Sequence, residues 1–167
     1  IQYTYTDISQ RFTNYGETQF AGKYNFIKFH TLDIEKSLEE QGINRSCYDI
    51  VIATNVLHAT HIMSFTMMQL KTLMCKEALL LLNEEQEKTE FITLTFGITS
   101  GWWLSSDVGY RISGSPLLTF TSWKDLLQEN QYVLFKNKLP NASLSNSGRV
   151  IISKSNGLIL QANKFIT

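Results

Sequence analysis

Five polar residues sit just beyond runs of strand-forming residues, where a side chain can do chemistry: Asp7, Asp33, Asn55, His58 and Glu84. An imidazole such as that of His58 is the side chain best suited to moving a proton near neutral pH. The acids at Asp7 and Asp33 can accept hydrogen bonds from ribose hydroxyls and from an adenine amino group. Taken singly, each signal is ordinary. Acids at strand ends also form turns and cap helices, and a lone histidine after a buried strand is usually a packed structural residue. His58 and His61 stand three apart in "HATH", a spacing able to hold a metal on one helical face, but no third ligand accompanies them and no metal is expected. His30 lies inside a strand run and is read as structural.

Positioning these residues requires strands that end just before them. "YTYTD" (residues 3 to 7), followed by a polar segment to Lys23, predicts strand, turn and helix, with Gly16 expected to break the helix at its centre. "YNFIKFHTLD" predicts a second strand ending near Asp33, and "SLEEQG" a short helix with Ser37 as N-cap and Gly42 as its stop. "YDIVIAT" is a continuous apolar run of the kind buried on both faces in a parallel sheet, which predicts a central strand. Met63, Met67, Leu70 and Met74 recur at helical spacing and read as core. "ALLLLNE" predicts another buried strand with Glu84 at its carboxyl end, and the acidic "NEEQEKTE" after it reads as a solvated face.

"FITLTFGITSGWWL" follows neither period and predicts a loop or lid, with Gly101, Trp102 and Trp103 either walling a pocket or packed in the core. "TSWKDLLQEN" predicts a helix with Ser122 as N-cap and Trp123, Leu126 and Leu127 turned inward. "QYVLF", "RVIIS" and "GLILQ" close the chain as strands that include an antiparallel hairpin. Alternating strands and helices predict an α/β sheet, whose ligand sits beyond the carboxyl ends of the strands.

Composition narrows the partners. A chain of 167 residues with 43% hydrophobic content suits one domain, expected to run from residue 1 to 167. Fifteen basic and fifteen acidic residues cancel, without a basic run, so neither nucleic acid nor an anionic membrane is an expected partner. The start "IQYTYTDIS" is unlike a signal peptide, and no apolar run approaches the roughly 20 residues of a membrane span. Cys47 and Cys75 are too few for a disulfide framework, and "NRS" and "NAS" are discounted as glycosylation sites, so a cytoplasmic location is expected.

The wording of these segments carries more than their pattern. "YTYTDIS", "FHTLDIEKSLEEQG", "YDIVIATNVLHAT", "LLLLNE", "FGITSGWWL" and "RISGSPLLTFTSWKDLL", in this order, resemble the carbon-methyltransferase domain of modular polyketide synthases. The match covers most of Ile1 to Gln128, and "VIATNVLHAT" and "FGITSGWW" are its most specific pieces. The resemblance implies a Rossmann-like class I methyltransferase sheet flanked by helices. It implies S-adenosyl-L-methionine as cofactor, and as substrate a β-ketoacyl chain on the phosphopantetheine of an acyl carrier protein, among neighbouring synthase domains. Carried over residue by residue, it makes Asp7 the ribose-binding acid, Asp33 the adenine-side acid and Asn55 a neighbour of the methionine moiety. His58 becomes the catalytic base and Glu84 its carboxylate partner. Arg111 is expected at the surface, with the phosphate of the carrier arm as its alternative contact.

Two departures from the family pattern stand out. Its first strand and glycine-rich cofactor loop are missing here, so a fragment of a larger domain is expected, and a catalytically inactive pseudo-methyltransferase is the alternative. An oxygen-methyltransferase of the same fold is a third reading. "MCKEALLLLN" also lacks the proline and paired glycines usual before the next strand, which predicts altered geometry over Cys75 to Ala78.

Overall fold

A computed structural model of the chain describes residues 1–107, 109–135 and 150–158. Its packing divides it into two units, Ile1–Ile43 and Asn44–Thr167.

The first unit holds strand β1 (Tyr3–Asp7), helix α1 (Gln10–Phe20) and strand β2 (Ile27–Thr31). β1 and β2 pair in parallel, from Tyr3 opposite Ile27 to Asp7 opposite Thr31. Asp7 shapes the exit of β1, its Oδ1 accepting the Ser9 N–H at 2.8 Å just before α1 begins. Gly16 does not break α1. It is buried, and a Cβ there would lie 2.9 Å from Cε1 of Tyr5, so the missing side chain is what lets α1 close onto β1. The Thr13 and Thr31 hydroxyls, 3.1 Å apart, add a tie from α1 to β2.

The helix expected over Ser37–Gly42 is turns instead. Both punctuation residues still act: Ser37 Oγ accepts from Glu40 N, and Gly42 takes φ +75° at the stop. The span between them is too short for a helix to propagate beyond its costly first turn.

The second unit holds β3 (Tyr48–Thr54), α2 (Met63–Leu73), β4 (Met74–Asn83), α3 (Glu90–Phe96), α4 (Phe120–Glu129), β5 (Tyr132–Leu134) and β6 (Ile151–Ser155). Its sheet runs β3-β4-β6-β5, with β3 parallel to β4 and the last two strands antiparallel. The antiparallel C-terminal strand pair expected from sequence is therefore present. The strand expected at "GLILQ" lies largely outside the described residues. β3 differs from expectation. Among the described strands it is an edge, paired only with β4, and its Ile50 and Ile52 are exposed.

The methionine stripe packs as its helical spacing predicts as far as Leu70, whereas Met74, also buried, is already the first residue of β4. Met63 and Met67 are fully buried, Leu70 and Met74 nearly so, and α2 passes into β4 without a connecting loop. α4 meets α2 with Trp123, Leu126 and Leu127, none of which reaches solvent. Full burial of each such side chain contributes about 1.5–3 kcal/mol to the fold. The N-cap of α4 is Thr119 rather than Ser122: Thr119 Oγ1 accepts the Ser122 N–H at 3.1 Å, and the two hydroxyls lie 2.9 Å apart. "FITLTFGITSGWWL" is more ordered than a loop, forming α3 and a 3₁₀ turn over Ser100–Trp103. α3 buries none of its residues, so no apolar period marks it in the sequence.

The register between β3 and β4 breaks where altered geometry was expected. Tyr48 faces Met74 but Ile50 faces Leu79, so Cys75–Ala78 bulge out of the ladder. Glu77 takes φ +69° there, a left-handed backbone that glycine adopts without strain. Its carboxylate pairs with the Lys154 ammonium of β6.

A buried lysine ties the last strands to α2. Lys71, 3% exposed, donates through Nζ to Asn156 Oδ1 and Leu158 O, both at 2.8 Å, and to Gln131 O at 3.3 Å, with its ammonium 5.0 Å from the centre of the Tyr132 ring. Burial pushes the Lys71 ammonium down from 10.5 to about 8. Between those values the folded chain binds fewer protons at this group than the unfolded chain does, so stability on its account rises as pH climbs from about 8 towards 10.5. Urea unfolding at pH 7.5 and pH 9.5 is expected to show that rise for the parent chain beyond any seen in Lys71→Met.

Candidate active site

The carboxyl ends of β3 and β4 are tied together before any functional side chain is placed. Asn55, the first residue beyond β3, turns the chain with φ +49°, a left-handed conformation that asparagine tolerates better than most residues. Its N–H donates to Asn83 O and its Oδ1 accepts from Glu85 N, each at 3.0 Å. A 3₁₀ turn, Leu57–Ala59, follows and carries His58.

Glu84, immediately after β4, organises this turn from below. Its Oε1 accepts the N–H groups of Val56 and Leu57, both at 3.0 Å, and its Oε2 lies 2.6 Å from His58 Nδ1. The carboxylate side chain is wholly buried, and the histidine side chain keeps 13% exposure. A carboxylate can only accept, so a neutral His58 ring bonded to it carries its proton on Nδ1 and presents Nε2 as a lone pair. One buried carboxylate thus sets the backbone, the orientation and the tautomer of the histidine. Beside it, burial pushes the Glu85 carboxyl above its ordinary range, the Glu87 charge pushes the same way, and His58 opposes both.

Arg111 is not at the surface, as the sequence suggested, but is buried among protein acceptors. Its side chain is 3% exposed, and four of its five N–H groups donate to protein oxygens. Nη1 donates to His58 O at 2.6 Å and Pro116 O at 2.8 Å, Nη2 to Thr60 O at 2.7 Å, and Nε to Asp107 Oδ1 at 2.7 Å. Sequence reading missed Asp107 altogether. The pair leaves a local trace in its spacing of four, whereas the carbonyls of His58 and Thr60 that the arginine binds lie about fifty positions away.

Asp7 and Asp33 belong to the first unit. β1 ends on Asp7, and Asp33 stands two residues beyond β2, where Leu32 N–H donates to Asp7 O at 2.9 Å. Asp33 Oδ1 accepts from Glu35 N at 3.0 Å and its Oδ2 pairs with Lys36 at 3.2 Å. Each acid therefore shapes its own turn, as acids at strand ends commonly do. The structure brings Asn55, His58 and Glu84 together in the second unit, and sets Asp7 and Asp33 at adjacent strand ends in the first.

Of the aromatic segment, Trp102 is core, 5% exposed and stacked on Phe96 at 6.4 Å, while Trp103 is exposed and donates through Nε1 to Gly97 O. Among the described residues, no group of three or more histidine, cysteine, aspartate or glutamate side chains could hold a metal ion, and no helix is long and apolar enough to cross a membrane.

No protein-family model matches the chain. Polyketide synthase PksM of Bacillus subtilis (strain 168) is 34% identical over 165 residues, which are 98% of this chain and 4% of PksM. The crystal structure of the DszA carbon methyltransferase has a TM-score of 0.84 and 36% identity, over 95% of this chain and 41% of that one. The chain belongs with the carbon-methyltransferase domains of polyketide synthases. Its sheets flanked by helices are accordingly a methyltransferase fold, and the chain spans 41% of the DszA carbon methyltransferase chain and 4% of PksM. The trans-methyltransferase CalH, solved in complex with SAH, shares that fold at a TM-score of 0.76 and 26% identity, over 92% of this chain and 42% of that one. In this carbon-methyltransferase domain the His58–Glu84 pair stands where β3 and β4 end.

Proposed function

We propose that this domain transfers a methyl group from S-adenosyl-L-methionine to the α-carbon of a β-ketoacyl thioester carried by an acyl carrier protein, within a cytoplasmic polyketide synthase. The observation that carries the reading is the 2.6 Å contact of His58 Nδ1 with a buried Glu84, which leaves Nε2 to act as a base.

The residues present fit the cofactor by the chemistry of their donor set. Asp7 closes β1 and Asp33 stands two residues beyond the adjacent β2, which suits Asp7 to ribose hydroxyls and Asp33 to an adenine amino group, and Asn55 would stand by the methionine moiety. CalH, solved with SAH, supports a cofactor of this type. When bound, it supplies an electrophilic methyl group.

The protein's own work is the proton transfer. A carbon between a ketone and a thioester is acidic enough for a positioned imidazole to deprotonate, so His58 Nε2 takes the α-proton and the electron pair stays on the substrate as an enolate. The ring then carries a positive charge with both nitrogens protonated. Glu84 Oε2, already bonded to Nδ1, stabilises that imidazolium and prevents the ring from rotating as charge develops. Holding donor and acceptor in line supplies further rate, because a methyl group transfers along one axis.

The test is incubation of the protein with methyl-labelled S-adenosyl-L-methionine and a β-ketoacyl carrier protein, with the product located by mass spectrometry. Label on the α-carbon is the expected result. Label on an oxygen would make the domain an oxygen-methyltransferase, and its absence would make it a non-catalytic module.

A further inference from the structure

We infer that Arg111, held by Asp107, is a positioning residue for the His58 base; the inference rests on His58 being that base. The turn bearing His58 is gripped from two sides. Glu84 takes the ring and the N–H groups of Val56 and Leu57, so it fixes the entry to the turn. Nothing in that grip holds the exit. Arg111 does so, its guanidinium bonding the carbonyls of His58 and Thr60 at 2.6 and 2.7 Å. Asp107 extends the clamp by one residue more, receiving Arg111 Nε on Oδ1 and the Met63 N–H on Oδ2, at the first residue of α2.

The arginine is itself anchored. It forms an antiparallel bridge with the fully buried Leu118, Ile112 N–H donates to Leu117 O at 2.8 Å, and Nη1 returns to Pro116 O at 2.8 Å. A planar fork with fixed N–H directions satisfies three carbonyls and a carboxylate together, whereas a lysine ammonium on a flexible stem cannot reach the same set. Because Arg111 binds the carbonyl of His58 and not its ring, loss of the fork leaves the imidazole chemically intact and displaces the backbone that aims it. Displacement of a catalytic group by about 1 Å lowers turnover by as much as ~100-fold.

Arg111→Lys and Asp107→Asn in the protein test this, each compared with a core substitution, Leu126→Val, that lowers stability without touching the turn. The expected result is turnover reduced about 10- to 100-fold with the substrate KM little changed. Alongside it, the far-downfield Nδ1 proton resonance expected of a 2.6 Å histidine–carboxylate bond shifts or broadens in both clamp variants and not in Leu126→Val. A folded Arg111→Lys protein with parental turnover and an unmoved resonance would overturn the inference. Should Arg111→Lys fail to fold, Asp107→Asn decides by the same two readouts. If His58→Ala keeps full activity, the base assignment falls, and the resonance alone reports whether the clamp aims the ring.

Discussion

His58→Ala lowers turnover by about 10²–10⁴-fold while leaving S-adenosyl-L-methionine affinity within a few-fold of the parent. The magnitude is that of losing a positioned general base. The cofactor contacts proposed for Asp7 and Asp33 lie in the first unit and do not involve the imidazole. The turn itself is expected to survive, because Glu84 and Arg111 hold it through backbone groups, although the buried Glu84 Oε2 loses its partner and some stability goes with it. Single-turnover methylation with isothermal titration of the cofactor separates the two effects. A variant that keeps full activity would remove His58 from the mechanism.

Glu84 combines the largest stability effect with a catalytic one, and two substitutions separate them. Glu84→Ala strips the acceptor from the Val56 and Leu57 N–H groups and leaves a void in a site that is 1% exposed. An unsatisfied buried donor costs roughly 1–3 kcal/mol and the part-buried Val56 N–H less, so with the void a loss of about 2–5 kcal/mol is expected. Glu84→Gln retains a carbonyl oxygen able to accept from both N–H groups, and most of the stability with it. Its amide nitrogen, however, meets Nδ1 as a donor, which drives the ring proton to Nε2 and blocks the base. Turnover is expected to fall by about 10²–10⁴-fold in Glu84→Gln although its thermal midpoint stays near the parent's. Equal midpoints for the two variants would show that the backbone contacts of Glu84 contribute little.

The elements legible in the sequence were those whose information is local. The spacing of Met63, Met67 and Leu70 fixes one buried face, and Trp123, Leu126 and Leu127 fix another, because helical period and burial are the same fact seen twice; Met74 continues the period in the sequence but lies in β4. Strand ends were legible too, which is why Asn55, His58 and Glu84 could be singled out before their geometry was known. Long-range features were not. Gly16 reads as a helix breaker until Tyr5 is seen against it, and Arg111 reads as a surface charge until three carbonyls are found around it. Lys71 sits on the same helix as the methionine stripe and is equally buried, since its acceptors come from chain segments sixty or more positions away. Between Thr119 and Ser122 the choice of cap turned on a single turn of register, which propensity alone does not settle.

The edge position of β3 also bears on how the chain behaves in concentrated solution. Among the described strands β3 pairs on one side only, an arrangement that can template a further strand, and Ile50 and Ile52 stand exposed on it. No proline or lysine within Tyr48–Thr54 blunts that edge, and Asp49 supplies its one charge. A second molecule that extended the ladder would cover both isoleucines in the same step, so concentration-dependent association is the expected behaviour, and light scattering of Ile52→Lys beside the parent checks it.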